Sequence, residues 1–198
     1  MTESPREGIT LGDLAVTARD EAVPVVVDAF VGIYRWHAKR TLRDVSVVRA
    51  ARVDGAIVGI SMLERLTPSV AYVYYLAVRK DSRRRGLGAL LLDDALDGFV
   101  RGGARVVYGA AEKKNTGSIA LFVSRGFRTV ERRELGYQQG GLGAWGLRSR
   151  MWLVSGEVLM GRRFAPEPPG TSEGPTGPVT RGREPVSRAT GSQSEDRT

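Results

Sequence analysis

The sequence predicts an α/β (α+β) chain whose strands form one mixed sheet flanked by helices, and three observations predict it. An apolar, β-branched and aromatic run, Val70 to Val78, stops at a charged turn, and an amphipathic pattern of helical period begins after Gly86. Asp54-Gly55 separates two β-branched runs, a strong hairpin signal. A short apolar run, Arg105 to Ala111, follows that helical pattern, as expected of a buried strand returning parallel to the one ending at Val78.

Taken in order, Leu14 to Arg19 alternates and reads as a first strand. Asp20 is a suitable N-cap, with Glu21 in the first turn and Pro24 near the start. Val23, Val26, Val27, Phe30, Val31 and Tyr34 then make a stripe that carries a helix to about Arg40. Val45 to Val53 and Ala56 to Leu66 form the hairpin, and Pro68-Ser69 turns the chain into the central strand. In the central helix Leu87, Leu90, Leu91, Ala95, Leu96, Phe99 and Val100 lie opposite Asp93, Asp94 and Asp97, and Gly102-Gly103 supplies a left-handed stop. Asn115 to Arg125 reads as a second core helix and Phe127 to Leu135 as a strand. Gly136 to Gly146, glycine-rich with Tyr137 and Trp145, reads as a loop or loose hairpin before a last strand, Ser149 to Val154. Glu157 to Phe164 either extends that strand or forms a short helix. The domain is therefore expected over 1–164, with 165–198 a disordered tail of proline, glycine, serine, threonine and charge.

Composition narrows the function. A hydrophobic content of 41% with 26% charged residues is that of a soluble globular domain. The absence of cysteine excludes disulfides, thiolate metal sites and a cysteine nucleophile, and a single histidine excludes a multi-histidine zinc site, so no metal is expected. No apolar leader is visible, and Ala22 to Ile33 contains Pro24 and Asp28 and is too short to span a bilayer. A cytoplasmic protein without a membrane partner, monomeric or homodimeric, is expected. The net charge of +8 comes from arginines spread along the chain, with no lysine-rich run and no basic stripe interleaved with aromatics. Nucleic acid is therefore not the expected partner.

Strand, basic glycine turn and helix N-terminus together bind phosphate, because the first helical N–H groups lack internal partners and sit at the positive end of the helix dipole. Arg83-Arg84-Arg85-Gly86-Leu87-Gly88 fits Arg/Gln-x-x-Gly-x-Gly/Ala, and the strand before it ends in Leu76-Ala77-Val78. Further on come Asn115, Ser118, Phe122 and then Gly126-Phe127. In that order these motifs resemble the acetyl-CoA signature of the GCN5-related N-acetyltransferase (GNAT) family. The resemblance implies the GNAT-like acyl-CoA N-acyltransferase fold, with a mainly antiparallel sheet of six to seven strands. It implies acetyl-CoA as co-substrate and transfer of an acetyl group to a primary amine on a protein N-terminus, a lysine or a small molecule.

The resemblance also implies roles. Backbone N–H groups of Arg85, Gly86, Leu87, Gly88 and Ala89 would hold the diphosphate, with Arg83 and Arg84 adding charge. A backbone N–H near Leu76, Ala77 or Val78 would polarise the thioester carbonyl, and Asn115 and Ser118 would contact the pantetheine side. Phe122 stands where many members carry a tyrosine that protonates the leaving thiolate, and it has no proton to give. Tyr72-Val73-Tyr74-Tyr75 likewise lacks the strand glutamate that some members use as base. Tyr72 or Tyr74 would then orient a water, or Glu64 or Glu112 would act as base if partly buried. The competing readings are a rim ion pair for Glu64 and a solvated strand end for Glu112. Tyr34, Tyr137 and Trp145 are candidates for the acceptor site, against ordinary packing. The alternative function is a catalytically weak CoA-binding regulatory or interaction module.

Overall fold

The Asp54-Gly55 turn adopts positive φ at both residues (49° and 81°), the backbone that a two-residue hairpin needs, and it joins β2 (Val47–Val53) to β3 (Ala56–Thr67). In this computed structural model the described residues are 8–131, 134, 146, 149–151, 153 and 156–164. The remaining strands are β1 (Ile9–Asp13), β4 (Val70–Val78), β5 (Val106–Glu112), β6 (Arg128–Thr129) and β7 (Glu157–Arg163). They complete a seven-stranded sheet in the order β1-β2-β3-β4-β5-β7-β6, parallel at β4–β5 and antiparallel elsewhere. The mixed, mainly antiparallel sheet of the sequence reading is thereby confirmed.

Helices cover both faces. On one, α1 (Val23–Ala29) and α2 (Gly32–Asp44) bury Val25, Val26, Ala38 and Leu42 against Val48, Ile60, Met62 and Ala77. On the other, α3 (Leu87–Arg101) and α4 (Thr116–Ser124) bury Leu92, Leu96, Phe99 and Phe122 against Leu63, Val73 and Val107. Met62 and Leu63 are neighbours that feed opposite cores, as strand alternation requires. Gly103, at φ 87°, follows the last turn of α3 and stops it as expected.

Four boundaries differ from the sequence reading. The first strand is Ile9–Asp13; Val16 to Ala22 coils into a 3-10 helix. The alternation after Leu14 is misleading because Val16 is exposed, while Arg19 is buried and donates to the carbonyls of Leu42, Arg43 and Ser46. The single helix to Arg40 is two, because Phe30 and Val31 are extended and the Phe30 ring meets Tyr75 edge-on at 5.0 Å. The strand expected over Phe127–Leu135 pairs at Arg128–Thr129. Ser149 to Met151 is helical, not part of a last strand, and Glu157–Arg163 takes that place along the whole of β5. A short apolar run around Met151 does not distinguish helix from strand by periodicity. The tail over 165–198 lies outside the described residues.

Candidate active site

The β4–β5 ladder joins Val70–Val73 to Val106–Gly109 and goes no further, so from Tyr74 and Ala110 onward the two parallel strands part. Phe122 stands at the point of parting. A Cβ at Gly109 would lie 2.6 Å from its Cζ, so only glycine admits the ring, which is buried and packs edge-on against Phe127 at 4.9 Å. The parting opens a cleft of about 210 Å³, lined from β4 by Tyr72 to Leu76 and from β5 by Ala110, Ala111 and Glu112. On the β3 side, Met62 pairs with Tyr75 and Leu63 with Val73, which leaves Tyr74 as the extra residue of a β-bulge. Leu76, Ala77 and Val78 stay paired to β3, with no β5 partner on their other side.

The turn after β4 matches the phosphate-binding expectation. Gly86 is the N-cap of α3 at φ 77°, no side chain caps that end, and Arg83 to Gly86 are exposed. The first N–H groups of the helix, at Leu87, Gly88 and Ala89, have no intrahelical acceptors. Arg84 also adopts positive φ (67°), and Arg83 Nε donates to the Val78 carbonyl at 3.1 Å, folding the basic turn back on the strand end. These features suit a diphosphate: open backbone donors, a helix dipole and nearby guanidinium groups. At α4, Asn115 Oδ1 accepts the Ser118 N–H at 3.0 Å; both residues line the cleft, and the Asn115 amide group keeps its own donors.

Four phenols meet here. Tyr72 is 2% exposed and sits edge-on to Tyr74 at 4.8 Å, and the Tyr74 hydroxyl donates to the Arg150 carbonyl. The Tyr75 hydroxyl bonds His37 Nδ1 at 2.8 Å. Burial pushes Tyr72, Tyr74 and Tyr75 above the ordinary phenol range, helped by Glu157 at Tyr72 and Tyr75 and by Glu64 at Tyr74. Tyr34 on α2 is raised by burial, then by Glu157 and Glu112. All four are neutral near pH 7, so they serve as hydrogen-bond donors, not as bases. Burial, then the Arg40 charge, lowers His37 to about 4 and leaves it neutral too.

The two carboxylates expected as bases are separated. Glu64 accepts from the Ser46 N–H (2.9 Å) and hydroxyl (2.7 Å) and lies 3.7 Å from Arg150. It lines a second groove of about 560 Å³ with Trp36 and Arg40, not the cleft. His37 and Tyr74 line both, so the groove continues from the cleft. Glu112 does line the cleft, at the end of β5.

Directly opposite it on β7 stands Glu157, which sequence reasoning missed. Both carboxylates are within hydrogen-bonding reach of the Tyr34 hydroxyl. Side chains facing across an antiparallel pair lie about 5 Å apart, and at an effective dielectric of roughly 20 two like charges there repel by on the order of 3 kcal/mol. No sequence signal marks Glu157, because the β5–β7 register that brings it to Glu112 is not written in either segment. Tyr137 and Trp145 lie outside the described residues. Among the described residues no group of three or more His, Cys, Asp or Glu side chains could hold a metal ion, and no helix is long and apolar enough to cross a membrane.

Known proteins agree with this geometry. The family model for the acetyltransferase (GNAT) family matches residues 17–127. The N-alpha-acetyltransferase RimI of Mycobacterium tuberculosis is 32% identical over 149 residues, which is 72% of this chain and 92% of that protein. Among solved structures, the ribosomal-protein-S18-alanine N-acetyltransferase of Escherichia coli superposes with a TM-score of 0.61 at 19% identity, covering 81% of this chain and 97% of that one. A GNAT family acetyltransferase from Elizabethkingia anophelis with acetyl-CoA bound gives 0.58 at 15% identity, covering 80% and 99%. The two structures show a shared fold. With the family match, the RimI relative and the splayed strands beside an open helix N-terminus, the chain belongs to the GNAT family and is an acetyl-CoA-dependent N-acetyltransferase.

Proposed function

We propose that the acceptor is the α-amino group of a polypeptide N-terminus. The observation that carries this reading is the 560 Å³ groove, which shares His37 and Tyr74 with the cleft and leaves room for chain beyond the reacting amine. The N-alpha-acetyltransferase name of the RimI relative supports it. Such a reaction places the enzyme in the cytoplasm, where acetyl-CoA and new N-termini meet.

In this reading the N–H groups of Arg85 to Ala89 hold the diphosphate, with Arg83 and Arg84 beside it. The backbone of Leu76 to Val78, unpaired on its β5 side, binds the pantetheine arm and polarises the thioester carbonyl. Asn115 and Ser118 steady the arm from α4. Tyr72 and Tyr74 orient the amine or a water through their hydroxyls. Phe122 excludes water from the sulfur but gives it no proton, so that proton comes from the attacking nitrogen. Glu64 serves the groove wall, where its bonds to Ser46 and Arg150 hold it.

Competition among three acceptors tests the reading. Hexapeptides with a free α-amine, N-acetylated hexapeptides carrying one internal lysine, and small diamines are each supplied with acetyl-CoA, and thiol release is followed. The free N-terminal peptides are expected to give the highest kcat/KM; faster turnover of the blocked lysine peptides or the diamines would overturn it.

A further inference from the structure

We infer that the carboxylate pair Glu157 and Glu112 receives the acceptor as its ammonium form, and that Glu157 takes the proton that must leave before attack. The inference rests on the amine-acetylating reading above and assigns the acceptor side of that site to particular atoms. Two independent observations support it. The first is the pairing itself: residues on different strands, in direct register, face one phenol and one cleft, so two negative charges share a space that a single cation would satisfy. The second is Tyr72. Its side chain lines the same cleft and is 2% exposed, yet its hydroxyl has no hydrogen-bond partner among the described residues. Buried hydroxyls are normally satisfied, so a polar group supplied by a ligand fits there.

The chemistry balances without a further reagent. Glu157 accepts one proton from R–NH3+ and becomes a carboxylic acid, while the amine becomes R–NH2. That nitrogen forms the C–N bond to the acetyl carbonyl as the C–S bond breaks, and the departing sulfur collects the second nitrogen proton as a thiol. Glu157 then returns its proton to water through the open groove. Glu112 keeps its charge and holds the amine in place, and the Tyr34 hydroxyl orients whichever carboxylate is ionised.

The same pair sets a rule for acceptors. An amine with a carboxylate on the adjacent carbon, as in a free amino acid, brings a negative charge against two others. An amide at that position removes the repulsion, so the accepted class is amines flanked by neutral carbonyls, as at a peptide N-terminus.

Alanine and alaninamide differ only in that group and are the probes, together with the best free-amine hexapeptide. The wild-type protein is expected to acetylate alaninamide with at least tenfold higher kcat/KM than alanine. Glu157→Gln and Glu112→Gln should each shrink that preference. Glu157→Gln should also raise the hexapeptide KM about tenfold or more, with a fall in kcat that Glu157→Asp partly restores. The acetyl-CoA Kd, measured by titration on the same samples, should stay within twofold. An unchanged alaninamide preference in both Gln variants overturns the inference, as do unchanged acceptor constants in Glu157→Gln or an equal loss of acetyl-CoA affinity. Should the blocked lysine peptides prove the better acceptors, the N-terminal reading fails alone, and the Glu157→Gln effect is then read on the lysine peptide.

Discussion

Gly86→Asp tests the phosphate turn, because its two consequences can be separated. The backbone there sits at φ 77°, and a Cβ built on Gly86 meets nothing within 4 Å. Steric cost is therefore confined to the left-handed conformation, about 1–2 kcal/mol for an ordinary residue and less for Asp, which tolerates that region. Gly86→Ala carries the same backbone burden without charge and is the control. The difference between the two variants is then electrostatic. A carboxylate roughly 6 Å from a diphosphate interacts at near 3 kcal/mol per charge at an effective dielectric of about 20, and salt and water at this exposed turn reduce the total. A net loss of about 2–3 kcal/mol beyond Gly86→Ala is expected, or roughly 30- to 150-fold in acetyl-CoA Kd. Titration calorimetry at low salt, repeated at high salt where the gap should narrow, measures it. Equal affinity in the Asp and Ala variants, with both folded, would refute the assignment of this helix end to the diphosphate.

Other expectations follow from single contacts. Gly109→Ala pushes a methyl group to 2.6 Å from the Phe122 ring and should destabilise by about 1–3 kcal/mol, read as a lowered Tm; an unchanged Tm would show that Phe122 moves freely. His37 protonates near 6.5 when unfolded and only near 4 when folded. Between those values the unfolded chain binds more protons, so His37 removes stability as pH falls from about 6.5 to 4. Denaturation at several pH values should show a shallower decline in His37→Gln, and equal slopes would contradict the burial of that ring. Ending the chain at Phe164 removes none of the described hydrogen bonds and should leave acetyl-CoA affinity intact by titration.

The donor half of the site was legible in the sequence and the acceptor half was not, for a physical reason. The turn at Arg83 to Gly88 works through its own backbone: a glycine at positive φ, an uncapped helix end and adjacent guanidinium groups are all encoded within six residues. The acceptor half combines Tyr34 from α2, the phenols of β4, Glu112 from β5 and Glu157 from β7. Each of these segments reads locally as ordinary helix or strand. Their meeting depends on a β-bulge at Tyr74, which lets both Tyr74 and Tyr75 line the cleft, and on the β5–β7 register, which sets one glutamate opposite another. A one-residue slip in that register would turn Glu157 to the other face, so its role is fixed by pairing and not by its own segment. The division has a consequence for substitution. Changes on α2 and β7 should alter which amines are accepted while leaving acetyl-CoA affinity alone, and changes at Arg83 to Gly88 should do the reverse. Measuring acceptor KM and acetyl-CoA Kd on Tyr34→Phe beside Gly86→Asp makes the contrast directly: a Tyr34→Phe variant that loses acetyl-CoA affinity as much as acceptor affinity would mean that the two halves are one.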